Sequence, residues 1–115
     1  MALFDLRELG IVPNDLREEI TFKVPTHLKC FEGHFPGNPI LPAYLMIDIS
    51  LSLGVSLKLL PSQIKEVSTG KFLAAIKPGD ELKIIVEKEA SSVNFIWQQK
   101  QNSEWKKASQ ICIEV

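Results

Sequence analysis

Between Pro42 and Pro61 lies the segment that most restricts what this chain can fold into. Residues 43 to about 60 carry Leu45, Met46, Ile47, Ile49, Leu51, Leu53, Val55 and Leu57. At helical spacing these positions fall on nearly every side, and a helix apolar all round must be enclosed on most sides. By length alone, residues 40–60 would also suit a membrane span. Asp48, Ser50, Ser52, Ser56 and Lys58 interrupt the stretch, and a proline-rich loop leads into it. A buried core helix fits these features better. Pro42 suits its N-terminus, where a missing N–H costs nothing, and Pro61 closes it.

What surrounds that helix must therefore cover it, and most of the remaining chain reads as strands. Residues 19–24 (EITFKV) alternate apolar and polar side chains, the period of a half-buried strand. Residues 63–75 form a second candidate with a bend expected at Gly70. Pro78-Gly79-Asp80 is a strong turn signal. Residues 81–89 (ELKIIVEKE), 93–99 (VNFIWQQ) and 105–115 complete an antiparallel meander, with its last turn at Asn102 and Ser103. Residues 2–9 show roughly helical spacing, ended by Gly10 and Pro13, and residues 26–41 read as a loop. One strand before an apolar helix and four after it imply an α+β arrangement, a sheet curled round the helix, as one domain over residues 1–115.

Bulk properties exclude several classes of function. The net charge of −1 argues against a nucleic-acid binder, which carries a clear basic excess. Cys30 and Cys112 are far apart and form no CxxC motif, which suits a reducing cytoplasm, and both read as small buried apolar side chains. The opening MALFDLRELG has acidic residues in its apolar stretch and no basic start, unlike a signal peptide.

The chemistry-bearing stretch is residues 31–48, FEGHFPGNPILPAYLMID. His34 sits among glycines and prolines, which leave a loop few conformations and hold an imidazole at low entropic cost. Asp48 lies inside the apolar helix, between Ile47 and Ile49. A structural reading puts it on the helix's one polar stripe with Tyr44 and Ser52. A functional reading has its apolar setting raise the carboxyl pKa, so that it can donate a proton near neutrality. The first-turn N–H groups of Ala43 and Tyr44 have no partner within a helix and can bind a thioester oxygen as negative charge builds on it. Base, acid and oxyanion site are the parts needed to remove a proton beside a thioester and expel a β-hydroxyl.

Residues 34–42, HFPGNPILP, resemble the HFPxxPxxPG signature of the bacterial 3-hydroxyacyl-acyl-carrier-protein dehydratases. Asp48 follows the histidine by the same fourteen positions as that family's catalytic Glu or Asp. Residues 71–82, KFLAAIKPGDEL, resemble its strand-turn-strand. The resemblance implies the hot-dog fold and a homodimer whose His34 and Asp48 come from opposite subunits, beside an acyl tunnel. It further implies Gly37, Pro39, Ala43 and Tyr44 as substrate-binding positions and an acidic acyl carrier protein as partner. No metal and no organic cofactor are implied. Lys71, Lys77, Lys100, Lys106 and Lys107 are candidates to meet the carrier, each otherwise a solvated surface lysine. Ala43 stands where the family has glycine, and Ser52 where it often has glutamine. These departures and the short chain suit a specialised pathway of the aryl-polyene type. A hot-dog acyl-thioesterase and a non-catalytic acyl-carrier-binding subunit are the alternatives.

Overall fold

The structure is a computed structural model, and it describes residues 4–12, 18–32, 39–61 and 67–114. Its elements are strand β1 (Glu19–Lys23), helix α1 (Ala43–Ser56), and strands β2 (Val67–Phe72), β3 (Glu81–Lys88), β4 (Ser92–Gln101) and β5 (Glu104–Glu114). The expected N-terminal helix is a single 3-10 turn, Leu6–Leu9. Asp5 caps it by accepting from the Arg7 amide, and Gly10 ends it at φ 76°. A second 3-10 turn, Lys29–Phe31, interrupts the expected loop.

The five strands form one antiparallel sheet in the order β1-β3-β4-β5-β2. Its centre is the meander read from the sequence. Asn102 and Ser103, both at positive φ, join Gln101 to Glu104 as a two-residue turn of the type that matches strand twist. Pro78 and Gly79 (φ 88°) form the middle of a turn closed from the Asp80 amide to the Lys77 carbonyl, with Pro and Gly where a type II turn wants them. In β2 the irregularity falls between Val67 and Thr69, not at Gly70.

Alternation along the strands sends one row of side chains inward. Leu82, Ile84 and Val86 of β3 face Val93, Phe95 and Trp97 of β4, with Ile111 and Ile113 of β5 beside them. Phe22 of β1 meets Trp97 edge to face, 6.3 Å between ring centroids. Met46, Ile49 and Leu53 of α1 are buried in this cluster. A hydrogen bond locks helix to sheet. The Trp97 indole N–H donates to Ser50 Oγ at 3.0 Å, and Ser50 Oγ donates to the Met46 carbonyl at 2.9 Å. A serine in mid-helix here satisfies an indole that has no water to turn to.

The helix differs from expectation at its C-terminal end. It ends at Ser56 rather than near residue 60. Lys58, at φ 61°, turns the chain back; its amide bonds the Val55 carbonyl and the Leu59 amide bonds the Gly54 carbonyl. That pair of bonds is a Schellman cap with lysine in the position glycine usually takes. Leu60 then folds over Gly54, where an added Cβ would lie 2.3 Å from a Leu60 methyl carbon. Enclosure is on most sides, as expected: Ala43 and Tyr44 are exposed, and Leu45, Ile47 and Asp48 are half-buried. Among the described residues, no helix is long and apolar enough to cross a membrane.

Two outcomes follow. Ser50→Ala strips the buried Trp97 N–H of its acceptor and should destabilise the fold by about 1–3 kcal/mol in urea titration. Lys58→Gly removes a side chain from left-handed backbone and should stabilise it by about 0.5–1 kcal/mol in the same titration.

Candidate functional site

The bond from the Leu41 amide to the Ile76 carbonyl, 2.7 Å, fixes the start of α1. Leu41 and Ile76 are both buried, so the entry to the helix is set against the segment that follows β2. Pro42 is the N-cap, one residue before the first helical position. Its carbonyl accepts from the Leu45 and Met46 amides, at 3.1 and 3.2 Å. The amides of Ala43 and Tyr44 have no hydrogen-bond partner among the described residues, and both residues are exposed. Such amides carry the positive end of the helix dipole.

One turn further in stands Asp48. The polar stripe read from the sequence is real, and its burial is graded: Tyr44 is 62% exposed, Asp48 half-buried and Ser52 buried. Ser52 Oγ donates to the Phe4 carbonyl and ties the N-terminal segment to the helix. The Asp48 carboxylate has no hydrogen bond or ion pair among the described residues. With no partner among the described residues, a carboxyl group on the helix beside Ile47 and one turn from Leu45 can meet an incoming group. Pro39 is half-buried on the approach to the helix. His34 and Gly37 lie outside the described residues.

Cys30 and Cys112 are free and half-buried rather than fully enclosed. Burial pushes the Cys30 thiol up, which leaves it protonated and a poor nucleophile.

Two features escaped the sequence. Phe72 and Leu73 are 43% and 63% exposed at the end of β2, a strand bonded on one side only, to β5. Together with Tyr44 they lie within a few residues of the Leu41–Ile76 bond. Gln99 is buried although it is polar. Its signal was the alternation itself, since the inward positions Val93, Phe95 and Trp97 continue to Gln99.

A five-stranded antiparallel sheet packed on a long helix is the α+β hot-dog fold. Residues 13–110 match the ApeI-like family, described as ApeI dehydratase, and the chain belongs to that family. It is 36% identical to the 3-hydroxyacyl-[acyl-carrier-protein] dehydratase FabZ of Pediococcus pentosaceus over 75 residues, 58% of this chain and 50% of that protein. The FabZ of Enterococcus faecalis is 34% identical over 84 residues, 67% of this chain and 58% of that protein. The chain thus spans about half the length of the curated relatives it matches. Among solved structures, an uncharacterized protein from Erwinia carotovora subsp. atroseptica superposes with a TM-score of 0.73 at 25% identity, over 84% of this chain and 79% of that one. The dehydratase heterocomplex ApeI:P from Xenorhabdus doucetiae gives 0.65 at 27% identity, over 84% and 83%.

Proposed function

We propose that this chain dehydrates 3-hydroxyacyl thioesters carried on an acyl carrier protein, giving trans-2-enoyl thioesters. The observation that carries this reading is the half-buried Asp48, without a partner among the described residues, one turn inside a helix whose first residues, Ala43 and Tyr44, are exposed. His34 is the base. It takes the C2 proton while the first-turn amides hold the thioester oxygen, on which negative charge builds. The electron pair left at C2 becomes the C2=C3 double bond as the C3–O bond breaks. Asp48 delivers a proton to the departing hydroxyl, which leaves as water. The imidazolium and the carboxylate then return to their starting states by exchange with solvent. Gly37 and Pro39 are the further substrate-binding positions, and the reaction takes place in the cytoplasm. Neither a metal nor an organic cofactor takes part in these steps.

The working form is a homodimer that supplies His34 from one subunit and Asp48 from the other. The open edge of β2, with Phe72 and Leu73 exposed at its end, supports pairing along that edge. An edge strand with apolar side chains is a template for a second chain. By contrast β1, the other edge, exposes Glu19, Thr21 and Lys23. The Xenorhabdus neighbour is a dehydratase heterocomplex, so a second, different chain is the other occupant to test for on this edge.

Incubation with a panel of 3-hydroxyacyl carrier proteins, followed by mass spectrometry for loss of water, tests the activity. His34→Ala and Asp48→Asn should each reduce turnover by roughly 10²–10⁴-fold while the chain stays folded. Near-normal turnover in either folded variant removes that residue from the mechanism. Leu73→Glu places a charge on the β2 edge and should convert the dimer to monomer in light scattering, with dehydration lost. A monomeric wild-type chain that dehydrates its substrates rules out the shared site.

A further inference from the structure

We infer that Gln99 and Asp80 are positioning residues for the first turn of α1, an inference that rests on the dehydratase reading of that turn. Gln99 sits on β4, the central strand of the sheet, and is buried. Its Nε2 donates to the Ala75 carbonyl at 2.9 Å and to Asp80 Oδ2 at 2.7 Å. Its Oε1 accepts from Gln101 Nε2 at 2.7 Å. Asp80 Oδ2 also accepts from the Lys77 amide at 2.8 Å, and the Asp80 carbonyl accepts from the Val24 amide at 2.9 Å.

Together these bonds clamp the crossing segment that leaves β2 and enters the turn at Pro78-Gly79. The next carbonyl along, that of Ile76, receives the Leu41 amide. Leu41 and Pro42 lead directly into Ala43. The path from the sheet's centre to the proposed oxyanion site is therefore short. It runs from Gln99 through Ala75 and Ile76 to Leu41, and on to the Ala43 amide.

An apolar side chain in place of Gln99 would fill the same space without needing partners. A buried polar side chain with both amide hydrogens used is well suited to fixing position. Catalytic hydrogen bonds need that fixing, because a shift of about 1 Å can cost 10²-fold in rate. The displacement falls on an amide that matters most when charge has developed, so it should act on kcat more than on KM.

The test compares Gln99→Met, Asp80→Ala and Asp80→Asn with the wild-type chain. Asparagine keeps an acceptor for both Gln99 and the Lys77 amide; alanine does not. Gln99→Met and Asp80→Ala should lower kcat roughly 10–100-fold with KM changed less than about threefold, and Asp80→Asn should recover most of that loss. Hydrogen exchange, followed by NMR, should show the Leu41 amide exchanging at least about tenfold faster in the two damaging variants. Unchanged kcat in folded Gln99→Met, or Asp80→Asn no better than Asp80→Ala, overturns the inference. So does unchanged protection at Leu41. The exchange measurement needs no substrate. It judges the link from Gln99 to Leu41 even if the wild-type chain fails to dehydrate, an outcome that would instead sink the function proposed above.

Discussion

Helix α1 has more apolar surface than one sheet can cover, and the rest of the molecule follows from that excess. Met46, Ile49 and Leu53 reach into the core, and Ser50 binds Trp97 from within it. Ile47 and Leu45 are left half-buried beside exposed Tyr44. Burying apolar area is the main favourable term in folding, at about 25 cal/mol per Å². A helix that is apolar on every side, set against a single curled sheet, keeps one side unsatisfied. Asp48 stands on that side, where a carboxylate avoids full desolvation but still borders aliphatic neighbours.

Much of the fold could be read from the residues because local chemistry and global need agree. The alternation in EITFKV and ELKIIVEKE, the Pro-Gly pair at 78–79 and the polar Asn102-Ser103 turn each specify geometry within a few residues. The helix's far end was misjudged because its stop is a lysine at positive φ. Lysine carries none of the signal that glycine would give there. Which side stays open was not legible, since an apolar pattern reports what a helix must bury but not how much sheet there is to bury it. The strand limits moved by only a residue or two, except in residues 63–75. There the described strand is Val67–Phe72.

The site was legible in part. Asp48 could be singled out because a carboxylate between Ile47 and Ile49 is costly to bury and demands a reason. The exposed start of α1 follows from Pro42 and the helix itself. Gln99 and Asp80 were not legible, although both stand in recognisable places, one at an inward strand position and one at the end of a turn. What links them is contact across the sheet, between residues 19 positions apart, and no local pattern encodes it. The exposed Phe72 and Leu73 are equally silent in sequence, since the strand they end is an edge only by virtue of the sheet order.

That strand order also bears on how the chain acquires its shape. β3, β4 and β5 are consecutive and joined by short turns, so they can pair without waiting for the rest of the chain. β1 must find β3 across the whole segment that contains α1, a separation of roughly 60 residues. Yet each doubling of loop length adds only about 0.6 kcal/mol of closure cost, so this late pairing is slow rather than unfavourable. In the finished fold the inward row of Trp97, Phe95 and Ile111 is fully buried, and α1 packs into the same core. The helix that carries Asp48 thus also covers the meander's inward apolar row, so a substitution that loosens α1 would uncover that surface and displace the proposed acid together.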